Sequence, residues 1–263
     1  MENKWAIILG CSTGHGAAIA KQLAKEGYGI IGFHLDRGSI KKDAARLQEE
    51  IASLNSNRVK FWNENAADKE VMLSRIEDIK DLVQDGEIKL LMHSIAFGST
   101  TNFFEPTPVL QRQMDMTQHV MAHCIIYWTQ TLLDNSLLKS GSRIIGLTSE
   151  GSYKAMEGYG PVGVAKASLE AIVRQIGWEL GSRGITANTI QAGITPTRAL
   201  TKISNDWEEW VEKTKERNPM KRVTKHLSRI GAKINLRNNI NYNEMETKGY
   251  YTIHNPIQKK NDE

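Results

Sequence analysis

The chain has 263 residues, 40% hydrophobic and 24% charged, a balance that excludes a disordered or low-complexity protein and suits a one-domain α/β enzyme. Its formal net charge of +4 suits anionic ligands such as phosphates or an acidic carrier protein, and does not by itself indicate nucleic acid. Two distant cysteines, no Cys/His metal spacing, no membrane-length apolar run and no signal-peptide pattern lead to the expectation of a cytoplasmic protein without disulfides, metal or membrane contact.

In chain order, the apolar run Trp5, Ala6, Ile7, Ile8, Leu9 predicts a buried strand. Gly10, Cys11, Ser12, Thr13, Gly14, His15 and Gly16 follow, and then a helical pattern over 17–26 closed by Gly27. A glycine-rich turn at this place lets the backbone approach a pyrophosphate, whose charge a helix N-terminus favours. An empty glycine-rich turn is the alternative, but the strand–turn–helix setting favours a dinucleotide.

A second strand is expected over 28–34 and a helix over 40–54 with Ala44, Leu47 and Ile51 on one stripe. Strand 58–62 and helix 71–83 come next, then strand 88–93, which ends in Ser94, Ile95, Ala96, Phe97 and Gly98. A long helix runs through Met121, Ile125, Trp128 and Leu132, followed by strand 143–147. A helix over 161–181 turns Ala165, Leu169, Ile172, Ile176 and Leu180 to the core, and strand 185–190 follows. Alternating strands and helices predict a Rossmann-like α/β fold, a doubly wound parallel sheet in three layers. Ligands of such sheets sit beyond the carboxyl ends of the strands, and the segments 10–16, 94–98, 148–159 and 191–197 all follow strand ends.

Tyr159 and Lys166 stand seven positions apart, close to two helical turns, so a helical backbone puts them on nearly one face. A phenol supplies a proton, and an ammonium stabilises a phenolate. Alone, such a pair says little. At the end of the second strand, where NAD enzymes place an acid for the ribose 2′-hydroxyl, this chain has His34, followed by Leu35, Asp36 and Arg37. Arg37 could pair with a 2′-phosphate or simply be solvated. The reading favours NADPH, with NADH possible.

The glycine spacing, the Tyr–Lys pair and the run Ala192, Gly193, Ile194, Thr195, Pro196, Thr197 together resemble the short-chain dehydrogenase/reductase superfamily over roughly residues 4–223. The resemblance implies that Ile194 meets the nicotinamide through its backbone and that Thr197 lies by the neighbouring phosphate. It also implies that Asn65 and Ala66 lie at the adenine, and that Ser94, Ile95 and Ala96 stand where the family has Asn-Ala-Gly. Most of the superfamily has Tyr-x3-Lys, which would require a tyrosine at Val162. The Tyr-x6-Lys spacing here, with Ser168, Leu169, Glu170, Ala171 and the run from His93 to Ala96, is similar to the FabL/FabI-like enoyl-acyl-carrier-protein reductases.

That group reduces the double bond of an enoyl thioester carried on acyl carrier protein or coenzyme A. Moving the tyrosine fits this chemistry, because the oxyanion develops on the thioester oxygen while the hydride goes to the β-carbon. Lys166 is then expected to hold the nicotinamide ribose. Ser149 replaces a second tyrosine of many of these enzymes and reads equally as a hydrogen-bond donor or a strand-end serine. Tyr153 and Phe97 are further candidate substrate contacts. Trp207 and Trp210 share a helical face in an expected lid over about 199–223, where an acyl channel and ordinary packing are both open readings. Lys213, Lys215, Arg217, Lys221 and Arg222 read as a carrier-protein contact or as a solvated face.

After Thr224 the resemblance ends. Residues 225–263 are rich in Asn and Lys, with Tyr250, Tyr251, Thr252 and Ile253 as the only strand-like run, and read as an atypical tail or a shifted reading frame. One sheet edge is then expected to be unprotected and assembly as a homodimer or homotetramer to be weakened. Two alternatives stay open: a carbonyl or hydroxysteroid reductase, and a nucleotide-binding pseudoenzyme.

Overall fold

The computed structural model describes residues 3–197, 200–203, 207–219, 221–223 and 253–254. Its central strand is β1 (Lys4–Leu9), in which residues 5–9 are buried. Trp5, Ile7 and Leu9 point into one core, and Ala6 and Ile8 into the other. A strand with apolar residues on both faces can only sit inside a sheet covered on both sides. Ile7 and Ile8, both fully buried, each contribute roughly 1.5–3 kcal/mol by burial.

The chain continues through α1 (Gly14–Lys25), β2 (Gly29–His34), α2 (Ile40–Leu54), β3 (Val59–Asn63), α3 (Lys69–Val83) and β4 (Glu87–His93). Then come α4 (Gln111–Gln118), α5 (Cys124–Asp134), β5 (Arg143–Thr148), α6 (Gly160–Leu180), β6 (Thr186–Gln191), α7 (Leu200–Ile203), α8 (Trp207–Arg217) and β7 (Ile253–His254). The strand order is β3-β2-β1-β4-β5-β6-β7. The first six strands of the chain are mutually parallel, as expected of a doubly wound sheet. Helices α1 and α2 cover one face, where Ile19, Leu23, Leu47 and Ile51 pack. Helices α3, α5 and α6 cover the other through Ile76, Ile79, Trp128, Leu169 and Val173.

Three details differ from expectation. On α6, Val173 is buried beside Ala165, Leu169 and Ile176, whereas Ile172 and Leu180 only pack against the core from its margin. The expected long helix is interrupted: His119–His123 forms a π turn between α4 and α5. There the Cys124 N–H bonds to the His119 carbonyl, which releases the Val120 carbonyl from the helical ladder. Buried His93 takes that carbonyl at 3.1 Å, so a β4 side chain stabilises the wider turn. Finally, the outer edge of β6 is partly covered, because β7 pairs antiparallel with it at Thr189 and Ile190. The rest of the expected tail, including Thr224 and Tyr250 to Thr252, lies outside the described residues, as do residues 199, 204–206 and 220 of the expected lid.

Candidate active site

β1 connects to β2 on one side of the sheet, whereas β4 lies on its other side. The crevice between the carboxyl ends of β1 and β4 is therefore the topological switch point. Both cofactor candidates from these loops meet there. Gly10, at φ +87°, turns the chain out of β1, and the Gly10 and Cys11 N–H groups donate to the Phe33 carbonyl at 2.8 and 3.2 Å. A Cβ on Gly10 would lie 2.7 Å from the Ser94 carbonyl oxygen, and one on Gly16 would lie 1.9 Å from the Gly10 carbonyl oxygen. No side chain fits at either place, so the turn, the β4 loop and the start of α1 are in backbone contact. Thr13 begins α1 in extended conformation and makes no side-chain cap, which leaves the helix N-terminus to an external acceptor. Ser12, Gly14 and His15 are half-buried around it. Thr197 arrives from β6 with its methyl 3.5 Å from the position of a Cβ on Gly14. This cradle fits a pyrophosphate.

At the end of β2, His34 Nδ1 lies 2.9 Å from Asp36 Oδ2. Asn63 accepts from the Asp36 N–H at 2.8 Å and donates to its carbonyl at 3.1 Å. Asn63 thus ties down the Asp36 main chain, and burial holds the His34 imidazole below its ordinary pKa. Arg37 next to them is exposed, with no side-chain partner among the described residues. A cleft beside His34 is also lined by Lys41, Gln48 and Asn63, and the sequence reading did not single out Lys41. Asn65 is exposed, and its Oδ1 accepts from the Ala67 N–H at 3.1 Å. The Ala66 carbonyl is held by Trp128 Nε1 at 2.7 Å, which fixes the loop expected at the adenine.

Tyr159 is the residue at which α6 begins and is only 7% exposed. Its hydroxyl lies 3.3 Å from Ser149 Oγ, just beyond β5. Its ring packs on Gly151, where a Cβ would meet it at 2.3 Å, and shares an apolar cluster with Met121, Val162 and Ala165. Burial raises the phenol's pKa, and the Ser149 hydrogen bond offsets this in part. The phenol is therefore protonated at neutral pH and is a donor. Lys166 is buried beneath, and its ammonium donates to the Leu147 carbonyl at 2.8 Å rather than to Tyr159. Burial lowers its pKa to about 8, opposed by Cys124 and Glu170. Glu170 is fixed by the Thr148 hydroxyl at 2.6 Å.

Around this centre, Ile95 is half-buried, Ala96 is exposed and Phe97 is 62% exposed. Gly193 and Ile194 are half-buried after β6, with the Gly193 carbonyl accepting from Thr195 Oγ1 at 3.1 Å. Tyr153 is exposed, and its hydroxyl accepts from Gln191 Nε2 at 3.0 Å. Sequence reading missed Gln191; its place at the end of β6 was the available signal. Trp207 and Trp210 stand half-buried on α8, and no hydrogen bond among the described residues joins them to the Ser149–Tyr159 pair. Lys213 and Lys215 pair with Glu209 and Glu212 on the same helix, which lowers the charge they offer a partner.

Cys11 and Cys124 are both free and buried. Among the described residues no helix is long and apolar enough to cross a membrane.

The family described as Enoyl-(Acyl carrier protein) reductase matches residues 10–233, ten residues further than 223, where the resemblance fades to the eye. The chain is 29% identical over 224 residues to the NADH enoyl-[acyl-carrier-protein] reductase FabI of Enterococcus faecalis, covering 84% of each. It is 28% identical over 229 residues to the NADPH-named FabI of Staphylococcus aureus, again covering 84% of each. The structure of an enoyl-(acyl-carrier-protein) reductase from Anaplasma phagocytophilum in complex with NAD superposes with a TM-score of 0.71 at 22% identity, over 89% of this chain and 84% of that one. A sheet of this topology, with a phenol at the head of α6 and a glycine cradle at the switch point, thus carries a family match over most of its length, and the chain belongs to the enoyl-(acyl carrier protein) reductases of the short-chain dehydrogenase/reductase superfamily, a group of oxidoreductases.

Proposed function

We propose that this chain reduces the trans-2 double bond of an enoyl thioester with NADPH, as the last step of a fatty acid elongation cycle. The observation that carries the reading is the Ser149–Tyr159 hydroxyl pair at the head of α6, seven residues before buried Lys166. A nicotinamide dinucleotide, when bound, supplies the hydride for the β-carbon of the substrate. Gly10, Ser12, Thr13, Gly14, His15, Gly16 and Thr197 would hold its phosphates. Asn65 and Ala66 would meet the adenine, and Ser94, Ile95, Ala96, Gly193 and Ile194 the nicotinamide half.

Tyr159 then donates its hydroxyl hydrogen to the thioester oxygen as negative charge gathers there. Its raised pKa keeps the proton available, and Ser149 holds the phenol oxygen in place. Lys166 contributes a positive charge under the site and a donor for the ribose hydroxyls. Phe97, Tyr153, Trp207 and Trp210 are proposed contacts of the acyl thioester. The preference for NADPH rests on exposed Arg37, on Lys41 in the cleft beside His34, and on the histidine that ends β2 where an acid would bind the ribose hydroxyl. Acyl carrier protein is the proposed carrier and a homodimer or homotetramer the proposed assembly. A single domain over 1–223 with a lid near 199–223 and a separate tail remains the proposed organisation.

Cofactor oxidation measured with crotonyl, acetoacetyl and steroid ketone substrates tests the reading, each with NADPH and NADH. Turnover of the crotonyl thioester alone is expected, faster with NADPH. Turnover of a ketone without the enoyl thioester would move the function to carbonyl reduction. Dinucleotide binding without any turnover would make the chain a pseudoenzyme.

A further inference from the structure

The segment between β4 and α4 grips the turn that carries Tyr159. Asn102 Oδ1 accepts from the Gly158 N–H at 2.9 Å, and Asn102 Nδ2 donates to the Glu105 carbonyl at 3.0 Å. The Asn102 carbonyl accepts from the Val109 N–H at 2.9 Å, and Thr101 Oγ1 donates to the Thr107 carbonyl at 2.7 Å. The segment 101–109 is thereby closed on itself, with Asn102 at its neck. Phe103 packs on the other neighbour of the tyrosine: a Cβ on Gly160 would lie 2.9 Å from its ring. The residues on both sides of Tyr159 are therefore held by one remote segment. Tyr159 also needs such a hold. It starts α6 with no side-chain cap, and among the described residues its backbone bonds run to Met156 and Gly163, both close by in sequence.

We propose that Asn102 is a positioning residue for Tyr159. By accepting the Gly158 N–H it fixes the turn so that the phenol meets Ser149 and the substrate oxygen. The substrate named rests on the enoyl-reductase reading; the placement of the phenol does not. The side chain is half-buried and more than fifty residues from Tyr159 in sequence, and none of its hydrogen bonds reaches the reacting atoms directly. The proposed effect passes through Tyr159, by way of the Gly158 N–H.

The test compares Asn102→Ala, Asn102→Asp, Tyr159→Phe and the Asn102→Ala/Tyr159→Phe double variant. The aspartate keeps the acceptor for the Gly158 N–H and gives up only the donor to the Glu105 carbonyl, so it separates the grip on the Gly158 turn from the closure of segment 101–109. With crotonyl thioester, Asn102→Ala is expected to lower kcat roughly tenfold or more with KM within about twofold, since small misplacements of a reacting group are costly. Asn102→Asp is expected to keep most of kcat. In the Tyr159→Phe background the alanine should cost nothing further, the mark of two residues acting as one unit. Ultraviolet titration, taken as the difference between chains with and without Tyr159, should show the phenol ionising at lower pH in Asn102→Ala than in the parent. Equal losses in both backgrounds, an aspartate as impaired as the alanine, or an unmoved Tyr159 titration would each overturn the assignment. The titration needs no substrate. If the parent fails to reduce crotonyl thioester, the proposed function falls, and the titration still decides the role of Asn102.

Discussion

Ser149 Oγ lies 3.3 Å from the Tyr159 hydroxyl and is the phenol's one side-chain hydrogen-bond partner among the described residues. The two come from different elements, the end of β5 and the start of α6, so the pair exists only because α6 packs back over the strand that precedes it. Replacing Tyr159 by Phe is expected to lower kcat by roughly 10²–10⁴, the usual range for a positioned acid, with dinucleotide affinity unchanged. Ser149→Ala is expected to cost less, about tenfold, because the phenol keeps its proton and its packing. Steady-state kinetics on both variants checks the ranking. A serine variant as impaired as the phenylalanine one would make Ser149 a proton donor in its own right.

Lys166 sets an alkaline limit. Its buried ammonium loses its proton near pH 8, so kcat is expected to fall as pH rises through that value. The sign for stability is the reverse. The folded state releases this proton before the unfolded chain does, which holds it to near 10.5, so between those values the unfolded state binds more protons. The stability of the wild type relative to Lys166→Met should therefore rise with pH from about 8 upward, by roughly 3 kcal/mol across the window. Referencing to the variant cancels the opposite drift from Cys11, whose thiol burial pushes up. Urea unfolding at several pH values measures the difference.

His93 governs the acid side of stability. Buried, and next to the Lys166 charge, it keeps its imidazole neutral down to about pH 3. An unfolded histidine gains its proton near 6.5, so stability should fall as pH drops from about 6.5 toward 3, by on the order of 4–5 kcal/mol in full. His93→Gln, which can still donate to the Val120 carbonyl, is expected to unfold at lower pH than the wild type. Acid titration followed by circular dichroism reads the midpoints, and coincident midpoints would remove His93 from the account.

The glycine cradle gives the sharpest expectation for the cofactor. A Cβ at residue 16 would overlap the Gly10 carbonyl oxygen at 1.9 Å, so Gly16→Ala must push α1 away from the turn. Loss of dinucleotide binding is expected, read by fluorescence titration alongside thermal unfolding. Unimpaired binding would place the pyrophosphate elsewhere.

Arg37 separates the two dinucleotides. Arg37→Ala is expected to weaken NADPH roughly tenfold, the worth of one charge-assisted contact, and to leave NADH unchanged. Equal effects on both would assign the 2′-phosphate to other groups, Lys41 first among them.

Much of this architecture is a property of the chain itself. Short apolar runs punctuated by glycine and alternating with amphipathic stretches make a parallel α/β sheet the only way to bury both faces of β1 and β2, and they place every candidate loop at one end of it. Gly10, Gly16, Tyr159 and Lys166 were legible because each belongs to a local motif whose spacing carries its meaning. What tertiary structure alone decided are contacts between residues far apart in sequence. Periodicity could not foresee the π turn at His119–His123, because a side chain from β4 takes the carbonyl that it frees. Nor could it tell that Asn63 holds the Asp36 main chain, that Lys166 rests on the Leu147 carbonyl, or that Asn102 holds the turn before Tyr159. Hydrogen bonds of that kind depend on where the packed elements bring their ends, and a linear pattern of apolar and polar residues carries no record of it.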